Sequence, residues 1–229
     1  MTARELGSEL FSIVVARQHI PVPGVPDGAT WLDDRHRAPP ITDGRARDAE
    51  RVTGIVIHTS RGVRGHVRPG ALPSSRAELL ALYQSRTTRD VSWHFTIDTD
   101  GTVIQQADAA LWMCWHAGHA NGWSVGIELV QQPGSGDLYE VQIASLAAIV
   151  EALCGALRIP RRTPVGADGR PWAGLIAEHR EASEGGRQRP FAGVLGHRAL
   201  TDHRGPGDPG DDVFAALLAR GFEGVTVSG

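Results

Sequence analysis

Two short apolar runs in this chain each end in histidine. Gly54-Ile55-Val56-Ile57 runs into His58, and Val194-Leu195-Gly196 runs into His197. Such runs predict buried strands, and neighbouring strands of one sheet can aim their end residues at one point. Asp208, in Asp208-Pro209-Gly210, adds a carboxylate. Two imidazoles and one carboxylate are a donor set for a catalytic zinc ion, with the fourth position open to water. A third apolar run, Ser124-Val125-Gly126-Ile127-Glu128-Leu129, carries a carboxylate inside it. Burying that charge alone is costly, so Glu128 predicts either a chemical role or a salt bridge to a buried Arg.

The 229 residues, 41% of them hydrophobic, suffice for one domain with a sizeable core plus additions. A formal net charge of −3 gives no sign of a nucleic-acid partner. All 23 basic residues are Arg, so a catalytic lysine is excluded. Cys114 and Cys154 make no disulfide framework; two reduced thiols are the reading, with a single bridge as the alternative. Phe11 to Ala16 is too short for the apolar core of a signal peptide and follows acidic residues. No run reads as a membrane span, so no membrane insertion is expected. The chain is expected to be cytoplasmic as synthesised, and to reach a cell wall only if released or delivered.

Residues 1–50 read as an N-terminal arm wrapped on the domain, and residues 51–229 as the domain itself. Pro21 to Pro26 and Ala38-Pro39-Pro40 give the arm a loop-like character. Val52 to His58 predicts the first core strand. Ser75-Arg76-Ala77-Glu78 is a capping box that opens a helix to about Ser85. Val91–Ile97 and Thr102–Gln106 predict a hairpin about Asp98-Thr99-Asp100-Gly101. A His- and aromatic-rich loop over 107–123 precedes the Glu128 strand. Residues 139–157 carry apolar positions at helical spacing. Residues 160–190 predict an insertion loop, placed over a substrate groove. Asp211 to Arg220 predicts a closing helix with two acidic residues at its N-terminus. Alternating strands and helices with one hairpin predict an α/β fold, a mixed central sheet flanked by helices.

Six segments in order now resemble a known family: Gly54 to His58, Ser92-Trp93-His94-Phe95-Thr96-Ile97 with Asp100-Gly101-Thr102-Val103, Trp115-His116-Ala117-Gly118, Ser124 to Leu129, Gly196-His197-Arg198 and Asp208-Pro209-Gly210. The sequence is similar to the zinc-dependent N-acetylmuramoyl-L-alanine amidases, the family of phage lysozyme-type amidases (endolysins) and peptidoglycan recognition proteins. The resemblance runs from about residue 52 to 222. It implies the peptidoglycan-recognition-protein-like fold, with His58, His197 and Asp208 as ligands of Zn2+. It implies hydrolysis of the amide between N-acetylmuramic acid and L-alanine in peptidoglycan or muropeptides. Glu128 matches the carboxylate that one subtype uses as general base. Trp93 stands where other members have a tyrosine. Pro206 stands two residues before Asp208, where many Glu-using members carry a lysine. Arg204 is the expected replacement cation, with Arg198, His66 and His119 as alternatives.

His116, Trp93 and Trp115 are candidate substrate contacts, His116 alternatively orienting a ligand. His94 reads as a satisfied core histidine. Trp112, Trp115 and Trp123 read equally as a sugar-binding floor or as core. Two other functions remain open on the sequence. One is a peptidoglycan-recognition module that binds without cleaving. The other is a zinc amidase for another N-acyl amino acid or peptide.

Overall fold

The computed structural model describes residues 11–30, 47–74, 76–177, 179, 191–205 and 207–229. The sequence expectations for Ser75 and Pro206, and for 1–10, 31–46 and 180–190, fall outside them. The described residues open with a hairpin, β1 (Ser12–Val15) and β2 (Gln18–Pro21), then β3 (Gly28–Thr30). β4 (Gly54–Thr59), β5 (Val67–Arg68), α1 (Arg76–Arg86), β6 (Phe95–Ile97), β7 (Val103–Gln105) and β8 (Ser124–Leu129) follow. β9 (Leu138–Tyr139) leads into α2 (Glu140–Leu157). The chain ends with β10 (Arg162–Val165), β11 (Gly193–Gly196), α3 (Asp211–Ala219) and β12 (Glu223–Thr226).

Six strands form one mixed sheet in the order β11-β4-β8-β6-β7-β3. β11, β4, β8 and β6 run parallel, and β7 turns back antiparallel to β6. The parallel register sets His58 beside Glu128 and Gly196 beside Ile57. The carboxyl ends of three adjacent strands therefore meet, where open α/β sheets keep their ligand sites.

Side chains alternate across each strand, and that alternation separates core from chemistry. Ile55, Ile57, Val125, Ile127 and Leu129 face a layer made of α2 and α3, with Leu146, Ile149, Leu153, Val213 and Leu217. Val56 and Leu195 pack on the other side against Ala117, Ala120, Trp123 and Ile176. By the same alternation His58 and Glu128 project to this second side, where Ala117, Ala120 and Trp123 of the 107–123 loop pack. α2 also corrects the membrane reading: it has the length and hydropathy of a span. Nine of its residues are buried against the sheet, which accounts for that hydropathy.

The described part of the arm holds more regular structure than its proline content predicts. β3 pairs with β7 and extends the central sheet. Gln105 binds Val14 through both its backbone groups, at 2.7 Å each, docking the hairpin. The hairpin turn places Ala16 at φ 51° and Arg17 at φ 65°. Asp108 accepts both turn amides, at 2.9 and 2.8 Å. Left-handed backbone costs a non-glycine residue about 1–2 kcal/mol, and glycine gives back part of that in unfolded-state entropy. Arg17→Gly is expected to raise stability by about 0.5–1 kcal/mol, measured by denaturant unfolding. An unchanged or lower midpoint would show that the turn is unstrained.

Among the described residues of 160–190, one segment is a strand and not loop. β10 pairs in parallel with β12, burying Thr163 and Val165. Pro164 is tolerated because the sheet has two strands and so only edges.

Candidate metal centre

His58 is the last residue but one of β4, His197 follows β11, and Asp208 sits in the loop before α3. One ligand atom from each lies within 4.8 Å of the others, and all three residues are buried. The Asp208 carboxylate is fixed from behind: Oδ1 accepts the Thr59 amide at 2.8 Å. Oδ2 lies 3.3 Å from His197 Nδ1. That nitrogen is buried and has no hydrogen-bond partner. A buried polar atom left open beside a carboxylate, in a cluster with a second imidazole, suits a bound cation. The donors are two nitrogens and a hard oxygen, a zinc set. Burial, with smaller contributions from His197 and His116, holds His58 well below the usual imidazole pKa, so it is neutral and able to ligate.

His116 orders this site from within. The Ser124 hydroxyl donates to Ala120 O at 2.7 Å, so its oxygen faces His116 Nε2, 3.4 Å away, as an acceptor. His116 Nε2 then carries the proton, and Nδ1 accepts from His58 Nε2 at 3.0 Å. His58 keeps Nδ1 as its free lone pair. A ring nitrogen held this way fixes the tautomer of a ligand histidine. Gly126 makes room for this: a Cβ there would come within 2.6 Å of the His116 ring. Burial pushes the His116 pKa down to about 3, so the ring is neutral.

Glu128 faces the same cleft, its carboxylate unengaged by hydrogen bonds or ion pairs among the described residues. Burial, then the neighbouring Asp208, raise its pKa well above the carboxylate range, and Arg204 partly offsets them. The cleft, about 300 Å³, is lined by His58, Trp93, His116, Glu128, Arg204 and Asp208, with Tyr83 and Arg89 at the α1 side. Arg204 is half exposed, its Nε 3.9 Å from Asp208 Oδ2. A second groove of about 520 Å³ shares Ser60 and Leu80 with it and carries Arg61, Arg76 and Leu79.

The remaining candidates separate cleanly. Arg198 is buried and turned away, donating to Asp211 at 2.6 Å and Trp172 O at 3.0 Å, so it is no oxyanion cation. His66 lies on the surface, 3.8 Å from Asp212. His119 pairs with His179 at 3.4 Å. His94 accepts from the Gly126 amide and donates to Trp112 O, a satisfied core histidine. Trp93 is buried in the cleft wall and donates to Thr96 Oγ1 at 2.7 Å. Trp123 and Trp112 join hydrophobic clusters. Trp115 is exposed but lies outside the cleft-lining residues. Cys114 is buried and its thiol is pushed up to about 12, which excludes thiolate chemistry. The sequence reading missed Arg47, a buried residue under the 107–123 loop; nothing in its local pattern distinguishes it from the surface arginines around it.

An α/β sheet that gathers His58, His197 and Asp208 at its strand ends, with a buried Glu128 adjacent, forms a cluster that could hold a metal ion. The model of the N-acetylmuramoyl-L-alanine amidase family matches residues 48–210, and the chain belongs to that family. No curated protein matches this sequence. Among solved structures it is similar to the endolysin N-acetylmuramoyl-L-alanine amidase LysCS from Clostridium intestinale URNW (15% identity, TM-score 0.47, covering 86% of this chain and 95% of that one). It is also similar to the Staphylococcus aureus hydrolase AmiA (12%, TM-score 0.48, covering 83% and 80%). A Drosophila PGRP-LB mutant in complex with tracheal cytotoxin is a third (16%, TM-score 0.45, covering 86% and 95%).

Proposed function

We propose that this chain is a zinc-dependent peptidoglycan amidase cutting between the lactyl carbonyl of N-acetylmuramic acid and the nitrogen of L-alanine. The observation that carries the zinc is the open, buried Nδ1 of His197, clustered with His58 and Asp208 beside Glu128. His58, His197 and Asp208 would hold the ion. A zinc ion there would polarise the scissile carbonyl and bring the pKa of a bound water to about 7.

The chain's own groups supply the proton transfers. Glu128 takes the proton from the attacking water as its oxygen bonds to the carbonyl carbon. Arg204, at the rim, donates to the oxygen that gains negative charge. Glu128 then passes its proton to the alanine nitrogen as the C–N bond breaks. The products are a glycan with a free lactyl carboxylate and a peptide with a free amino terminus. Leu79 and Leu80 with Arg61 and Arg76 give the adjoining groove an apolar floor and a cationic rim, suited to a peptide that carries carboxylates.

The test is digestion of purified sacculi with mass analysis of the soluble products. Peptides beginning with free L-alanine and glycan strands bearing intact lactyl groups are expected. Sacculi that sediment the protein but stay uncut would identify a recognition module. Cleavage confined to small N-acyl amino acids would identify a different amidase.

A further inference from the structure

Arg47 lies one residue before the family match begins. Its side chain is buried, and it ion-pairs with no carboxylate among the described residues. Backbone carbonyls surround it, with the His94 ring nitrogen Nε2 3.3 Å from Nη2. Nη1 donates to Ser124 O at 2.6 Å and Asn121 O at 3.2 Å. Nη2 donates to Ala109 O, and Nε to Ala110 O at 3.4 Å. The Arg47 amide adds a bond to Leu111 O at 2.7 Å. These acceptors lie at the two ends of the 107–123 loop. Burial makes this cation costly; the Asp108 charge offsets part of that cost, and the rest falls to the carbonyls, each of which must hold its place.

The loop so pinned carries His116. Asn121, whose carbonyl Arg47 holds, accepts the His116 and Ala117 amides through Oδ1 at 3.0 and 2.7 Å. Ser124, whose carbonyl Arg47 also holds, faces His116 Nε2 with its hydroxyl. His116 in turn holds His58. We propose that Arg47 is a positioning residue for the metal centre: the planar guanidinium locks the 107–123 loop, and through His116 fixes the orientation of His58. The proposal rests on the metal-centre reading above. It assigns the N-terminal arm a part in the site, from outside the segment that matches the family.

The test measures zinc affinity by competition with a chromophoric chelator, apart from activity. Arg47→Lys keeps the charge, but one ammonium cannot span four carbonyls. Leu153→Ala, in α2 on the opposite face of the sheet, is the control for stability lost without touching the loop. Arg47→Lys is expected to weaken zinc binding about tenfold to a hundredfold, the range for outer-shell partners of a ligand. Leu153→Ala is expected to bind zinc as the parent does. A double-mutant cycle with His116→Phe, which removes the bond to His58, isolates the route. If Arg47 acts through His116, the double variant binds zinc no worse than His116→Phe. Parent-like affinity in Arg47→Lys, or losses that multiply in the double variant, would overturn the proposal. Failure of both Arg47→Lys and Arg47→Gln to fold, even with zinc in excess, would make Arg47 a strut of the fold and overturn it too. If no variant and no parent protein binds zinc, the metal-centre reading itself fails, a result distinct from these.

Discussion

His197→Ala is expected to lose both zinc and turnover while staying folded. The side chain is buried, but its Nδ1 makes no hydrogen bond, so truncation removes an unsatisfied polar atom along with some packing. The two effects on the fold partly cancel. The effect on the site does not. With one of three ligands gone, His58 and Asp208 make only half a tetrahedral set. Metal stabilisation of the transition state is worth several kcal/mol, so the rate should fall by roughly a thousandfold or more. Metal content by atomic absorption and kcat/KM on the same preparation check this together. A variant that binds no zinc yet keeps parent-like turnover would remove the metal from the mechanism.

Glu128→Gln is expected to separate chemistry from binding. Glutamine keeps the shape and cannot take a proton, so kcat should fall by about 10²–10⁴-fold, with zinc binding retained. The same change should stabilise the metal-free protein. Burial and Asp208 raise the folded-state pKa of Glu128 above its unfolded value. The folded state thus binds this proton more tightly, and stability is lost as pH rises from the unfolded pKa through the folded one. Above that window the ionised carboxylate weighs against folding, and Glu128→Gln removes the burden. The variant should therefore melt higher than the parent at neutral pH, and the gain should vanish below about pH 4, where the parent is protonated in both states. Bound zinc favours the ionised carboxylate and should shrink the gain. A lower melting temperature for metal-free Glu128→Gln at neutral pH would mean that the carboxylate is structurally paired.

The two histidines of the candidate cluster were legible because each follows an apolar run. Apolar runs announce strands, and His58 and the Val194–Gly196 run into His197 stand at strand ends. Glu128 was legible because a charge in an apolar strand conflicts with its surroundings. The helices over 76–86, 140–157 and 211–219 followed from periodicity and end signals. What escaped depends on contacts distant in sequence. The β1–β2 turn lacks the glycine or asparagine that left-handed backbone favours, and Asp108 supplies its support from far along the chain. β10 exists because β12 lies beside it, and its composition alone reads as loop. Arg47 looks like a surface arginine in the sequence, and Arg198 reads there as an alternative oxyanion cation; only the fold shows which carbonyls and carboxylates surround them. His116 was legible as a site residue, but its bond to His58 spans 58 residues and has no local signature.

The most direct test of the zinc-amidase reading is release of free L-alanine amino groups from purified peptidoglycan by the parent protein. The assay is run as prepared, after chelation, and after zinc is restored. Release that stops with chelator and returns with zinc is the expected result. Release that persists through complete metal removal, or none from protein shown to hold zinc, would contradict it.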